Sequence, residues 1–158
     1  MFRPIRRTKR ELSGEDTISL LLKGKRGVFA VNGDDGYPYA IPVDYYYDAE
    51  SNKIYFHGAK AGHKVDSLKK NDKVCFTTFG NETYKEGDWA PYLQSVVVFG
   101  RCRLVMDETE TLEHVRTLAR RFYPTEEEME AEIARDIKAV QLYEITVEHM
   151  CGKQIHEK

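Results

Sequence analysis

Up to residue 106 the chain is written mostly in short β-patterned runs, each cut by a cluster of Gly, Pro, Asn or Asp. Beyond that point come two helical periods and one more strand. Strands joined by turns this short pair antiparallel, because a parallel return needs a crossover of about a dozen residues or more. Residues 27–32 and 39–47 flank Gly33-Asp34-Asp35-Gly36-Tyr37-Pro38 and read as a hairpin. Residues 54–57, 74–79 and 140–147 read as further strands, and 95–106 as a long one interrupted at Gly100, a bulge or a close backbone approach. Residues 80–94 show no period and read as an irregular loop around Trp89, the only tryptophan. Loops of that length in compact domains are often functional. Residues after 147 read as a tail.

Helical signals lie between and after these strands. Ser13 caps a short helix whose apolar face is Ile18, Leu20, Leu21 and Leu22, with Gly24 as its stop. Residues 63–70 read as a second helix with Val65 and Leu68 inward. In 107–122, Leu112, Val115, Leu118, Ala119 and Phe122 recur at helical spacing. Pro124-Thr125 ends that segment and starts an acidic helix over 125–138. Five or six antiparallel strands with outlying helices predict a mainly β, α+β fold built on a small barrel.

The 158 residues are 41% hydrophobic and 32% charged, which suits one domain over 1–158. No apolar run reaches the roughly 18 residues of a spanning helix, and no apolar core follows the basic start. Membrane and secretory readings are thus set aside. The odd, scattered cysteines Cys75, Cys102 and Cys151 support neither disulfides nor a zinc knuckle and point to the cytoplasm. A net charge of −2 argues against broad nucleic-acid binding. The basic cluster Arg3, Arg6, Arg7, Lys9 and Arg10 reads as a solvated arm.

The stretch Tyr55-Phe56-His57-Gly58-Ala59-Lys60-Ala61-Gly62-His63-Lys64 carries the most chemistry. A strand ends in His57, small residues follow, and a helix opens with His63 and Lys64. Small residues let backbone N–H groups approach a ligand, and a helix start favours an anion. Lys64 adds a full charge and His63 a donor, which suits a phosphate. The Walker spacing is missing, and the alternative is an ordinary surface loop. His57 and His63 lack a third ligand at matching spacing, so no metal site is read. No serine has a nucleophile-elbow context.

Taken in order, the motifs resemble the FMN-binding split-barrel superfamily that contains pyridoxamine phosphate oxidase, and most closely its 5-nitroimidazole-resistance (Nim) family. The resembling pieces are Arg6-Arg7-Thr8-Lys9-Arg10-Glu11, Asp35-Gly36-Tyr37-Pro38-Tyr39 and Ile41-Pro42-Val43-Asp44-Tyr45. Tyr55-Phe56-His57-Gly58-Ala59, Gly62-His63-Lys64 and Leu68-Lys69-Lys70-Asn71 follow. Val74-Cys75-Phe76, Ser95-Val96-Val97-Val98-Phe99-Gly100 and Gly152-Lys153 complete the series.

The resemblance implies a six-stranded antiparallel split barrel and a homodimer with FMN at its interface. It sets the strand of Pro42, Val43, Asp44 and Tyr45 along the isoalloxazine ring. It sets His57, Gly58 and Ala59 beside the ribityl chain and phosphate, with His63 and Lys64 on the phosphate. It brings Ser95, Val96 and Trp89 from the second subunit. The family often has Arg or Lys where this chain has His63, so phosphate affinity would depend partly on pH. The implied function is an FMN-dependent reductase of small electron-poor, nitroaromatic-like compounds. A non-catalytic flavin- or haem-binding module is the alternative, with His149-Met150-Cys151 as weak haem-ligand candidates. A pyridoxamine phosphate oxidase proper would need more C-terminal cations than Lys153 and Lys158.

Overall fold

The computed structural model describes residues 1–156. Helix α1 (Gly14–Lys23) precedes strands β1 (Arg26–Asn32), β2 (Pro38–Asp48) and β3 (Lys53–Ala59). Helix α2 (His63–Lys70) leads to β4 (Lys73–Thr83) and β5 (Tyr92–Val105). Helices α3 (Glu108–Ala119) and α4 (Glu126–Asp136) precede β6 (Val140–His156). All strand pairs are antiparallel and close a barrel in the order β1-β2-β3-β6-β5-β4.

Local signals explain the helix starts. The Ser13, Asp107 and Thr125 side chains each accept a hydrogen bond from the N–H three residues on, satisfying one orphan donor of the first turn. Inside the barrel Phe29, Phe56 and Tyr143 pack with ring centroids 4.7 Å apart for Phe29–Phe56 and for Phe56–Tyr143. Burying each such ring contributes about 2–3 kcal/mol. Leu20 and Leu21 of α1 and Val65 and Leu68 of α2 join the same core. At Gly100 the β5–β6 register shifts, and a Cβ there would collide with the Thr146 carbonyl. The close approach predicted at this glycine is therefore present.

Two expectations need correction. The span 80–94 is largely a hairpin extension: β4 continues to Thr83, β5 starts at Tyr92, and the irregular part shrinks to 84–91. Asn81, at φ 54°, sits where the β4–β5 register slips, and this bulge interrupts the alternation that periodicity reads. The tail after 147 is strand: β6 runs to His156 and pairs with β5 throughout. Both faces of its second half are only partly buried, so its sequence carries no clean alternation. Smaller differences are a third strand three residues longer and a third helix ending at Ala119.

Helices α3 and α4 pack on Tyr46, Tyr55, Val105 and Leu142, the outer face of β2, β3 and the start of β6. They leave the outer face around Val28 and Phe99 uncovered, with each residue more than a third exposed. Under α3 lies a polar cluster. Glu144 is 1% exposed and accepts from Arg103 at 2.8 and 2.9 Å, from Lys53 at 3.1 Å and from Tyr55 at 3.0 Å. Burial pushes its carboxyl up, but those donors outweigh burial and hold it below the usual range.

Candidate functional site

Strands β2 and β3 pair only between Tyr45–Asp48 and Lys53–Phe56. On the β2 side, residues 38–44 pair with β1 alone. On the β3 side, residues 57–59 pair with β6 alone. The two strands therefore part into a wedge. The edges facing across it have no strand partner among the described residues, so their peptide groups are left for another molecule. Pro42, Val43 and Asp44 form one lip, and His57, Gly58 and Ala59 the other.

Strand alternation sorts these side chains between two faces. Val43 and Tyr45 point into the barrel core. The Tyr45 hydroxyl donates to the Leu21 carbonyl at 2.8 Å, and burial pushes its pKa up to about 12. Tyr45 is thus a core residue whose ring is closed to a ligand. Asp44 and His57 point outward. The surrounding protein lowers the His57 pKa, with Asp44 pulling the other way, and the net direction favours neutral imidazole. Asp44 itself is held by Arg26 at 2.7 Å.

Lys64 and His63 open α2 but turn to different sides. Lys64 Nζ lies 5.9 Å over the Tyr143 ring and 3.7 Å from where a Gly58 Cβ would stand. A Cβ at Gly58 would be in ordinary contact with Lys64, and its tightest neighbour would be the Tyr143 ring at 3.2 Å. Lys64 has no carboxylate partner among the described residues. His63 instead stacks on Tyr39, with centroids 4.1 Å apart, and its Nε2 is 3.7 Å from Asp34. It serves the β1–β2 turn, and of the predicted phosphate pair only Lys64 reaches the β3 lip.

A cavity of about 390 Å³ borders the outer side of the wedge. Asp44 and His57 form one wall, and Leu118, Phe122, Ile133 and Ile137 of the α3–α4 pair another. Sequence reasoning missed this wall, because its helical spacing looked like ordinary packing. Phe122, the last periodic residue before Pro124, was the available signal.

Ser95, Val96 and Trp89 are not brought to the wedge within one chain. Ser95 pairs with Lys153, whereas Gly58 pairs with Gln141. At about 3.3 Å per residue those two points of β6 lie roughly 40 Å apart along the strand. The Val96 side chain is fully buried in the core, and Trp89 is 73% exposed in the 84–91 loop. His149, Met150 and Cys151 alternate. Met150 packs on the barrel core, and the His149 ring stacks under Phe2 at 4.8 Å with its buried Nε2 unpartnered among the described residues. Among the described residues no three His, Cys, Asp or Glu side chains group as metal ligands. Lys158 lies outside the described residues.

The family model described as pyridoxamine 5'-phosphate oxidase matches residues 13–154. Solved structures similar to this chain include a candidate 5-nitroimidazole antibiotic resistance protein from Bacteroides thetaiotaomicron. That likeness has TM-score 0.76 and 18% identity, over 92% of this chain and 87% of that one. A FAD-binding protein from Mesorhizobium loti has TM-score 0.68 and 20% identity, over 92% and 97%. A FAD and heme binding protein from Mycobacterium smegmatis has TM-score 0.72 and 16% identity, over 94% and 74%. At these identities the likenesses concern the fold. No curated protein matches the sequence.

Proposed function

The chain belongs to the pyridoxamine 5'-phosphate oxidase family, and from that premise we propose that it binds FMN in the β2–β3 wedge and reduces small electron-poor, nitroaromatic-like compounds there. The observation that carries this reading is the wedge itself: two strand edges without a strand partner, beside Lys64, a cation without a carboxylate partner, among the described residues. The residues present fit the group. Peptide edges at Pro42–Asp44 and His57–Ala59 suit the polar rim of a flat ring system, and Lys64 with the first N–H groups of α2 suits a terminal phosphate. The flavin, when bound, supplies the electron transfer, so no nucleophile is required of the chain. His57 holds one imidazole proton at the mouth of the 390 Å³ cavity, where a compound stacked on the ring would sit. The apolar α3–α4 wall excludes water from that compound.

Ser95, Val96 and Trp89 enter this reading through a second subunit. The uncovered outer face at Val28 and Phe99 supports a homodimer, and sedimentation at micromolar concentration tests it. A second reading, a flavin- or haem-binding module without turnover, is favoured only by the unpartnered Nε2 of His149. A Soret band in the purified protein would select it.

The central test titrates apo protein with FMN and with riboflavin. A hydrogen bond to a charged group contributes about 1.5–3 kcal/mol, so Lys64→Ala should weaken FMN binding roughly 10- to 150-fold. Riboflavin, which lacks the phosphate, should bind both proteins alike. Equal FMN affinity in the two proteins removes the assignment. Denaturing release and mass identification of any bound cofactor separate FMN from FAD. Turnover of a nitro compound with NAD(P)H separates enzyme from binder.

A further inference from the structure

The wall of the cavity beside the wedge ends in two rings that burial alone does not hold. Phe122 and Tyr123 line the cavity, and each is more than a third exposed. They follow α3 in a tight turn. Arg121 N–H meets Leu118 O at 3.1 Å, Phe122 N–H meets Ala119 O at 2.9 Å, and Tyr123 N–H meets Ala119 O at 3.0 Å. These bonds fix the turn on its own helix. Its place against the strands is set by the Arg121 side chain.

Every other arginine from Arg26 onward pairs with a carboxylate. Arg121 has no ion pair among the described residues and reaches three backbone carbonyls instead. Its Nη1 donates to Tyr45 O at 2.5 Å. Its Nη2 donates to Gly24 O at 2.7 Å and to Leu22 O at 3.1 Å. Leu22 and Gly24 stand at the C-terminal end of α1, where carbonyls lack helical partners and attract a cation. Tyr45 is the residue at which β2 and β3 begin to pair, so it marks the closed end of the wedge. Its ring lies 5.8 Å from the guanidinium, and Lys25 Nζ lies 5.6 Å from the Phe122 ring.

A guanidinium is planar and holds its donors in a fixed fork. Three carbonyls from two separate elements therefore meet it in one position only. One side chain ties the end of α1, the closed end of the wedge and the turn that carries Phe122. We propose that Arg121 is a positioning residue of this cavity: it fixes the Phe122–Tyr123 turn against β2 and so sets how tightly the cavity grips a flat aromatic compound. The proposal rests on the reading of this cavity as the place of the reduced compound.

Equilibrium dialysis of nitrobenzene against the full chain as purified tests it. Wild type should bind, and Phe122→Ala should weaken binding about tenfold, the scale of one lost apolar contact in a pocket. Arg121→Ala should weaken it as much. The double variant Arg121→Ala/Phe122→Ala should bind no worse than Phe122→Ala, because Arg121 acts through that ring. Arg121→Lys, which keeps the charge, should restore part of the affinity and keeps the test valid if Arg121→Ala folds poorly. In turnover with NAD(P)H, Arg121→Ala should raise KM for nitrobenzene about tenfold and leave kcat unchanged. The proposal is overturned if wild type does not bind nitrobenzene, or if both Arg121 variants bind it like wild type. It is overturned too if the two losses add in the double variant, as a general loosening of the fold would make them. Wild type that binds nitrobenzene without reducing it removes the proposed activity and leaves the assignment of Arg121 standing.

Discussion

Two polar regions of this barrel are built on opposite plans. Under α3, Glu144 is buried and every one of its oxygens is met, by Arg103, Lys53 or Tyr55. At the wedge, Lys64 stands beside Gly58 and, among the described residues, has no carboxylate partner, and the strand edges have no ladder. A closed network is what a chain builds to hold strands in register, since a half-satisfied one is costly. An open arrangement of donors is tolerated where another molecule completes it. The same distinction separates engaged arginines of the barrel, such as Arg103, from Arg6, Arg7 and Arg10, which have no ion pair among the described residues.

The largest expected effect comes from breaking the closed cluster. Glu144→Ala leaves Arg103, Lys53 and the Tyr55 hydroxyl without their shared acceptor. Removing one partner of a buried pair costs about 3–5 kcal/mol, and the half-exposed Arg103 sets the expectation at the lower end, about 3 kcal/mol. Urea unfolding measures it, and a loss below about 1 kcal/mol would make the cluster incidental. The same carboxyl gives the pH dependence. Its folded pKa lies below the unfolded value of about 4.3, so its stabilisation is complete above that pH. It is lost as pH falls through the depressed folded value. Glu144→Gln should therefore flatten the acid limb of the stability curve below about pH 4.3, and an unchanged limb would refute the linkage.

The wedge should respond in the reverse sense. Lys64→Ala, which is expected to weaken FMN binding, should shift unfolding by no more than about 0.5 kcal/mol, because among the described residues the ammonium has no hydrogen bond or ion pair and meets only the Tyr143 ring, at 5.9 Å. A larger shift, read by the same urea titration, would move Lys64 from the open plan to the closed one. His57→Ala should likewise spare the fold and alter flavin binding or reactivity, read by FMN titration and single-turnover reduction.

How much of this was legible in the sequence depended on whether a signal was local. The helix start at Ser13 and the span His63–Lys70 were legible, because caps and turn residues act within a few positions. Gly100 was legible because a glycine inside an apolar run has few other uses. The second half of β6 was not, since its strand state is imposed by β5 across the ladder and leaves no alternation. The wedge was half legible. Its residues could be named, yet their split between an inner face (Val43, Tyr45) and an outer face (Asp44, His57) follows from register. The divergence of His63 from Lys64 depends on Tyr39 and Asp34, which lie more than twenty residues earlier.

The smallest expected effect on the fold is at Trp89, and it sharpens the comparison at a third place. The indole is 73% exposed, while the next residue, Ala90, is fully buried and donates a hydrogen bond from its N–H to the Asp88 carboxylate at 3.3 Å. The loop is therefore seated by Ala90 and Asp88, and Trp89 projects from it without holding it. Trp89→Ala should change unfolding free energy by less than about 0.5 kcal/mol. A large exposed aromatic on a fixed loop is suited to a surface that becomes buried on association. If that surface is the partner's flavin site, the variant should weaken dimerisation and FMN retention together, read by sedimentation and flavin release on dilution. A variant that loses stability but keeps both would make Trp89 a packing residue and remove it from the site.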